Sequence, residues 1–298
     1  MKYTMMNPLH QPINPIYIVS KGRYEVRLTA TSLENMKQKY YIVVEEHEYD
    51  LYNNNINRNY GTVIVLPERY LKEYEVCDDI PYGQKSVGPG AARNFCWDHS
   101  ISLGAKYHWV MDDNIQGFYR YHNGKRINCL SSAIFRAAED FVDRYENVPV
   151  SGFQYRFFCI PDAGKPAYVL NTRIYSCLLI RNDCKHRWRG RYNEDTDLSL
   201  RVLKDGDCTI EFNAFLQAKT ATQTLGGGNT EAFYAAEGTS PKSMMLKELH
   251  PDVTTLVVKY GRHHHHVNYK KFSSNKLIKK NIEIQSEPNN YGIILRKK

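Results

Sequence analysis

Two aspartates and an asparagine, Asp112, Asp113 and Asn114, directly follow the apolar run at residues 107–111. Carboxylates at the end of a buried strand are costly unless a cation or hydrogen-bond donors compensate them. Open α/β sheets bind ligands beyond the carboxyl ends of their strands, and Mg²⁺ and Mn²⁺ share oxygen ligands with substrate phosphates. The string therefore predicts a metal and diphosphate site. A solvated turn is the alternative, because Asp and Asn are common turn residues.

A second pair of acids, Glu194 and Asp195, stands at the start of a helical pattern that ends at Leu203. A carboxylate at the rim of a cleft can act as a general base. Acids are also favoured in the first turn of any helix, where they interact with the positive end of its dipole. The spacing alone leaves both interpretations open.

Four consecutive histidines at residues 263–266 form a third candidate. Alternate side chains of an extended segment share one face, so His264 and His266, or His263 and His265, would point together. We select His264 and His266 as candidate metal ligands, with an exposed loop as the alternative.

Two further segments have the composition of an anion site. Residues 90–94 open a helix with small side chains, which lets the backbone approach phosphate, and Arg93 adds a charge-assisted contact. Ser20, Lys21 and Arg23 follow an earlier strand and would hold a nucleotide. Helix–sheet packing and a solvated turn are the respective alternatives.

A basic tract precedes the second acid pair. It combines Lys185, Arg187, Arg189 and Arg191 with Trp188. Cations bind phosphates and aromatic rings stack on bases, so the tract predicts a nucleic-acid contact, with a solvated loop as the alternative. A second candidate is the lysine-rich tail with Lys270, Lys271, Lys276, Lys279 and Lys280.

The predicted secondary structure brings these segments to one edge of a sheet. Strands are predicted at residues 16–20, 41–44, 62–66, 107–111, 148–158, 168–180, 208–218 and 254–260. Helices are predicted at roughly 24–38, 89–104, 130–145, 194–203 and 242–249. Alternation of strand and helix up to residue 111 predicts a parallel sheet covered on both faces, and the later strands resemble antiparallel additions. The fold class is therefore α/β, with a Rossmann-like N-terminal nucleotide-binding half.

Length and composition exclude several classes of protein. The chain has 298 residues, of which 42% are hydrophobic and 24% charged, as in ordinary globular enzymes. No apolar run approaches the roughly 20 residues that span a bilayer, and no signal-peptide pattern is present. Seven scattered cysteines without a Cys-x-x-Cys pair favour reduced thiols in a cytoplasmic protein. The net charge of +8 permits an anionic partner.

In their order along the chain, these segments resemble the nucleotide-sugar glycosyltransferases of the GT-A fold. More narrowly, residues 109–115 and 261–265 resemble the TET/JBP-associated glycosyltransferases, which include phage and kinetoplastid enzymes that transfer sugar to hydroxymethylated pyrimidines in DNA. The resemblance spans roughly residues 16–269. It implies a GT-A-like catalytic core in residues 1–225, and an extension in residues 226–298 that completes the active site within the same domain.

The resemblance also implies a metal-dependent transferase with a UDP-linked sugar as donor. Mn²⁺ or Mg²⁺ would be held by Asp113 and Asn114 with the selected histidines, although Asn114 stands where the family motif usually has a metal-binding aspartate. Asp195 or Glu194 would accept the proton of the incoming hydroxyl, which inverts the anomeric configuration. The nucleotide sugar would be held by Ser20, Lys21, Arg23, Glu45, Arg93 and Asp112.

The implied acceptor is a hydroxymethylated cytosine or uracil in DNA, in a phage-infected bacterium. Such a base reaches a buried donor by flipping out of the duplex. Two alternatives remain open at this stage. One is a GT-A transferase that acts on a glycan, lipid or protein, and the other is an inactive relative that binds nucleic acid.

Overall fold

The computed structural model describes residues 10–220, 240–259 and 261–281. The strands are β1 (Ile16–Val19), β2 (Tyr40–Val44), β3 (Gly61–Val65), β4 (Tyr107–Asp112), β5 (Ile115–His122), β6 (Lys125–Asn128), β7 (Val150–Tyr155), β8 (Tyr168–Leu170), β9 (Cys177–Arg181), β10 (Thr209–Lys219), β11 (Thr254–Lys259) and β12 (Arg262–Val267). The helices are α1 (Leu28–Asn35), α2 (Tyr49–Asn55), α3 (Glu68–Lys72), α4 (Gly90–Ser102), α5 (Ala133–Val142), α6 (Glu194–Lys204) and α7 (Ser240–Leu249). None of the helices in these ranges is long and apolar enough to cross a membrane.

Ten of the strands form one mixed sheet in the order β3-β2-β1-β4-β9-β7-β10-β5-β6, with β8 paired to β10. The first four strands are parallel, as the strand–helix alternation predicts. Strand β9 runs antiparallel to both β4 and β7, whereas β7 and β10 are parallel to each other. The later strands are therefore only partly antiparallel additions. The whole is a mixed α/β, GT-A-like fold.

Both faces of the sheet are covered, which explains the unbroken apolar run of β4. On one face, Trp109 packs with Phe135 of α5 and Phe153 of β7. On the opposite face, Val110 belongs to the apolar cluster that includes Trp97 of α4. The alternation along β4 thus fixes the strand in the middle of the core and places its carboxyl end at the sheet edge.

Two predicted elements have clearly different bounds in the structure, and one hairpin is new. Helix α1 is shorter than predicted because it begins at Leu28 and ends before Lys37, whose φ of 56° is incompatible with a helix. The predicted strand at residues 168–180 is interrupted by Asn171 and Ser176, which both have positive φ. The β5–β6 hairpin was not predicted.

The C-terminal elements pack against α6. Leu246 of α7 and Phe272 lie in one apolar cluster with Leu200 and Leu203 of α6. The predicted boundary at residues 225 and 226, together with the glycines at 226–228, lies outside the described residues.

Candidate active site

A cleft of about 620 Å³ opens at the carboxyl ends of β1, β2 and β4. Carboxyl ends of neighbouring parallel strands meet at one sheet edge, so segments that are far apart in sequence converge there. The predicted residues that line the cleft are Ser20, Lys21, Arg23, Glu45, Arg93, Asp112, Asp113, Asn114, Glu194 and Asp195. The structure thus brings the two acid pairs and the predicted nucleotide-binding residues together, and their roles stay predictions.

Arg93 of α4 connects the two acid pairs. Its Nη2 donates to Asp112 Oδ1 and its Nη1 donates to Glu194 Oε1, both at 2.7 Å. Its guanidinium lies 4.7 Å from the ring centroid of Trp188, and only 3% of Arg93 is exposed. Because both terminal nitrogens hold carboxylates, Arg93 orients the site as well as adding positive charge to it.

The small residue at the start of α4 has a packing reason. A Cβ atom added at Gly90 would lie 1.8 Å from the Tyr74 hydroxyl, which donates to the carbonyl of Gly190. At Gly90 the geometry therefore favours the packing alternative, although Ala92 and Arg93 of the same helix line the cleft.

Asp112 is held as a carboxylate by two cations. Besides Arg93, Lys219 Nζ donates to its Oδ2 at 2.6 Å and Ser176 Oγ donates to the same atom at 2.7 Å. Burial alone would raise the pKa of Asp112, but Lys219 and Arg93 outweigh burial and lower it well below its usual range. Asp112 is therefore ionised at neutral pH.

Asp113 has a different set of partners. Arg23 Nη1 donates to its Oδ1 at 2.5 Å and Ser20 Oγ donates to its Oδ2 at 2.7 Å. Burial raises the pKa of Asp113, and Arg23 and Ser20 only partly offset it. At the rim of the cleft, Lys21 Nζ donates to Glu45 Oε1 at 2.5 Å. The turn after β1 thus directly contacts Asp113, the candidate metal ligand that follows β4.

Glu194 and Asp195 open α6 as predicted, and their surroundings differ. Glu194 is buried, and burial raises its pKa to about 7 although Arg93 lowers it in part. Asp195 is partly exposed in the cleft, and burial raises its pKa too. Asn193, which precedes the helix with a φ of 54°, makes no side-chain cap and donates to the Lys242 carbonyl instead. Asp195 is therefore the better-placed candidate proton acceptor.

Of the four histidines, His265 lines the cleft. His264 and His266 are exposed and do not line it, because neighbouring residues of β12 point to opposite faces. The geometry therefore replaces the selected pair, His264 and His266, with His265 as the candidate ligand. Burial, together with Lys242, lowers the pKa of His265 to about 4, so its imidazole is neutral at pH 7.

Three buried atoms of residues that line the cleft have no hydrogen-bond partner among the described residues, namely Arg93 Nε, Asn114 Oδ1 and His265 Nδ1. Buried polar atoms are nearly always paired, so the Asn114 oxygen and the His265 nitrogen are available to bind a ligand. The described residues contain no ready-made cluster of three or more His, Cys, Asp or Glu side chains that could hold a metal. The metal site therefore stays a prediction.

The inner part of the basic tract is structural, contrary to the prediction that it contacts DNA. Trp188 and Arg191 are each 2% exposed. Arg191 Nε pairs with Asp78 at 2.5 Å, and Arg189 pairs with the fully buried Asp197 at 3.3 Å. Trp188 and Arg191 hold the loop against the core, and Arg191 also lines the cleft, whereas the Arg189 side chain is 25% exposed.

The remaining predicted basic contacts are nearer the surface. Arg187 lies over the Trp97 ring and pairs with Asp98 at 2.9 Å, and Lys185 is exposed 3.9 Å from Asp205. In the tail, Lys280 pairs with Asp143 at 2.8 Å. The exposed tail lysines are Lys270, Lys271, Lys276 and Lys279.

Four residues of the site were missed by the sequence analysis. Lys219 and Ser176 bind Asp112, and the rings of Tyr155 and Tyr175 line the cleft. They lie on or beside β7, β9 and β10, and no motif marks them. Only the strand order of the sheet brings them to the end of β4.

A GT-A-like sheet with an acid-lined cleft at its carboxyl edge is the architecture of a glycosyltransferase. The family model described as TET-Associated Glycosyltransferase matches residues 14–228. The match covers well over half of the chain, so the chain belongs to this family and is a glycosyltransferase, as the resemblance predicted. Comparison with curated proteins gives no match. The matched range ends before α7 and β12, which contribute Lys242 and His265 to the cleft.

Proposed function

We propose that the protein transfers a sugar from a UDP-linked donor to the hydroxymethyl group of a modified pyrimidine in DNA. The observation that carries the proposal is the convergence of Asp112, Asp113 and Asp195 in one cleft of a TET-associated glycosyltransferase. Lys21, Lys219 and Lys242 line the same cleft and supply positive charge for a diphosphate. The reaction therefore has a place for the donor and a carboxylate beside it.

Asp113, Asn114 and His265 are the residues that would hold a divalent metal. Carboxylate and amide oxygens with a neutral imidazole suit Mn²⁺ or Mg²⁺, and two of the three donor atoms are orphaned. When bound, the metal would stabilise negative charge on the leaving diphosphate. Arg23 and Ser20 each hold one oxygen of the Asp113 carboxylate and so fix its orientation.

The metal assignment is tested by titrating Mn²⁺ and following its electron paramagnetic resonance signal, with no sugar donor present. We expect His265→Ala to weaken Mn²⁺ binding about 10-fold or more, because it removes a ligand. His264→Ala is the matched control, since it removes a neighbouring histidine that faces away. Weaker Mn²⁺ binding in His264→Ala, with unchanged Mn²⁺ binding in His265→Ala, would instead support His264 and His266 as the ligands.

Asp195 is proposed as the general base. Its carboxylate takes the hydroxyl proton of the acceptor while the acceptor oxygen bonds to the anomeric carbon and the bond to the diphosphate breaks, which inverts that carbon. The raised pKa makes Asp195 a stronger proton acceptor than an ordinary aspartate.

The activity is tested with UDP-sugars, Mn²⁺ and DNA that contains hydroxymethylcytosine or hydroxymethyluracil, followed by digestion and mass analysis of the nucleosides. The expected product is a nucleoside heavier by one sugar unit. Asp195→Asn should lower the rate by roughly 10²–10⁴-fold. Asp205→Asn, at the other end of α6, is the control. No mass gain with any donor that demonstrably binds would refute DNA as the acceptor.

A glycan, lipid or protein acceptor is the second candidate. The ion pairs that Arg187, Arg189 and Arg191 form within the protein favour this second candidate. These arginines were predicted to bind DNA phosphates, and their charges are already paired with carboxylates. The discriminating measurement is UDP release with each acceptor class. Stimulation by a glycan, lipid or protein and none by DNA would establish this second candidate.

A further inference from the structure

Four aromatic side chains lead from the protein surface into the cleft, and we call Phe157, Phe158, Tyr155 and Tyr175 the aromatic path. Ring centroids are 5.6 Å apart for Phe157 and Phe158, 5.9 Å for Phe158 and Tyr155, and 6.0 Å for Tyr155 and Tyr175. Phe157 is 81% exposed and Phe158 is 49% exposed. The path therefore joins an exposed apolar surface to the site without a break.

The inner end of the aromatic path reaches the proposed general base. The Tyr155 hydroxyl is hydrogen-bonded to Ser176 Oγ at 2.8 Å. The hydroxyl of Thr196, the residue after Asp195, lies 3.4 Å from the Tyr175 hydroxyl and 3.3 Å from Asp195 Oδ1. A group that moves along these rings therefore arrives at Asp195.

The outer end of the path lies against the β5–β6 hairpin. Arg126 Nη1 donates to the Arg156 carbonyl at 3.3 Å, and the Tyr121 hydroxyl donates to the Ile160 carbonyl at 3.0 Å. The Arg156 guanidinium also lies 4.6 Å from the Tyr119 ring. The hairpin and the segment that carries both phenylalanines are thus one surface.

This surface is strongly basic. Residues 115–128 and 154–168 contain a single acid, Asp162, against five lysines and arginines: Arg120, Lys125, Arg126, Arg156 and Lys165. Burial and Glu211 raise the pKa of the Cys159 thiol to about 11, and Lys165 and Arg126 partly offset this, so two cations and one acid lie close to the residue after Phe158. Across the described residues, none of these five cations has a carboxylate within ion-pair distance, in contrast to the basic tract at residues 185–191.

We propose that a DNA strand docks on the aromatic path, with bases stacked on Phe157 and Phe158 and phosphates bound by Arg126, Arg156 and Lys165. Aromatic platforms in a positively charged surface are the general device for binding unpaired nucleotides. The base to be modified then passes Tyr155 and Tyr175 to reach Asp195. The inference rests on the proposed DNA acceptor and replaces the basic tract as its docking surface.

The test is the fluorescence anisotropy of a labelled single-stranded oligonucleotide, measured without donor so that catalysis plays no part. Phe157→Ala/Phe158→Ala should weaken binding about 10-fold or more, because two stacking platforms are lost. Ile101→Ala/Leu103→Ala removes two exposed apolar side chains near the end of α4 and is the matched control. Arg126→Ala/Lys165→Ala should lower the slope of log affinity against log salt by about 1–2.

Thermal unfolding and UDP binding verify that each variant folds with an intact donor site. Unchanged DNA binding in Phe157→Ala/Phe158→Ala, with weaker binding in Lys185→Ala, would overturn the inference in favour of the basic tract. Sugar transfer to DNA at an unchanged rate in the phenylalanine variant overturns the inference and leaves the proposed function standing. DNA binding that needs the path, with no transfer by the wild type, supports the inference and refutes the proposed function. A wild type that binds no DNA refutes the docking surface.

Discussion

Asp112 and Glu194 both pair with the guanidinium of Arg93, but the protein shifts their pKa values in opposite directions. Each accepts a hydrogen bond from Arg93 at 2.7 Å. Asp112 has Lys219 and Ser176 as further partners, and its pKa falls far below the usual range although burial opposes this. Glu194 is largely buried and shares Arg93, its only ion-pair partner among the described residues, with Asp112, and burial raises its pKa to about 7.

This contrast indicates that the two sides of the cleft have different chemical roles. One side, built on β4 and β10, keeps a permanent negative charge within a cluster of cations. The other side, at the start of α6, holds Glu194, whose pKa burial raises to about 7, and Asp195, whose pKa burial also raises. Sites whose environments separate the pKa values of neighbouring acids in this way are typical of acid–base catalysis.

Removal of the shared guanidinium should have the largest effect. Arg93→Met leaves two buried carboxylates without a common partner, and breaking a buried ion pair from one side costs about 3–5 kcal/mol of unfolding free energy. Urea unfolding measures the loss. The double variant Arg93→Met/Glu194→Gln should recover part of it, because one of the stranded charges is gone.

The matched control is Arg136→Met, which breaks an exposed pair with Asp140 on α5. Such surface pairs contribute under about 1 kcal/mol. If both arginine variants lose the same stability, Arg93 does not hold the two acids together.

Lys219→Met should have an intermediate effect. Asp112 loses one of its two cations, so its pKa rises toward the usual range and the cleft loses positive charge. We expect UDP binding, measured by calorimetry, to weaken about 10-fold, as for the loss of a charged hydrogen bond. Lys106→Met, which breaks an exposed pair with Asp143, serves as control. Equal UDP affinity in both variants would contradict a donor-binding role for the Asp112 side of the cleft.

The smallest effect is a pH dependence of stability that stems from Glu194. Its pKa is about 7 in the folded protein and 4.5 ordinarily, so between these values the folded state binds the extra proton. The contribution of this group to the unfolding free energy is therefore fully present below pH 4.5 and is lost as the pH rises through about 7. Urea unfolding from pH 5 to pH 8 should show this loss in the wild type and not in Glu194→Gln. Parallel curves would show that the pKa of Glu194 is not raised.

The order of motifs sufficed to predict much of the site. Asp112, Arg93 and Asp195 follow elements with clear local signals: an unbroken apolar strand, a helix between Pro89 and Gly104, and acids at the start of α6. Carboxyl ends of parallel strands share one edge, so local predictions of this kind converge in space. Lys219 could not be found in this way, since its contact with Asp112 depends on the pairing of distant strands.

The rest of the site could not be predicted, because it depends on which distant residues form ion pairs and on the register of the strands. Arg191 looks exposed in the sequence, and its partner Asp78 stands more than a hundred residues away. The choice among the histidines depended on the register of β12, where a shift of one residue exchanges the two faces. The β5–β6 hairpin has an Asn123-Gly124 turn with both residues at positive φ. Asn-Gly is typical of such hairpin turns, so this hairpin could have been predicted from the sequence.

The most direct test of these two roles compares Asp112→Asn, on the donor-binding side, with Asp195→Asn, at the proposed base. For each variant, UDP affinity and single-turnover sugar transfer at saturating donor are measured. Asp112→Asn should weaken UDP binding about 10-fold or more, because Lys219 and Arg93 lose the carboxylate that positions them for the diphosphate. Asp195→Asn should keep UDP affinity within about twofold and lower the transfer rate by roughly 10²–10⁴-fold. Full transfer by Asp195→Asn, or a loss confined to UDP binding in both variants, would contradict the assignment of Asp195 as the base.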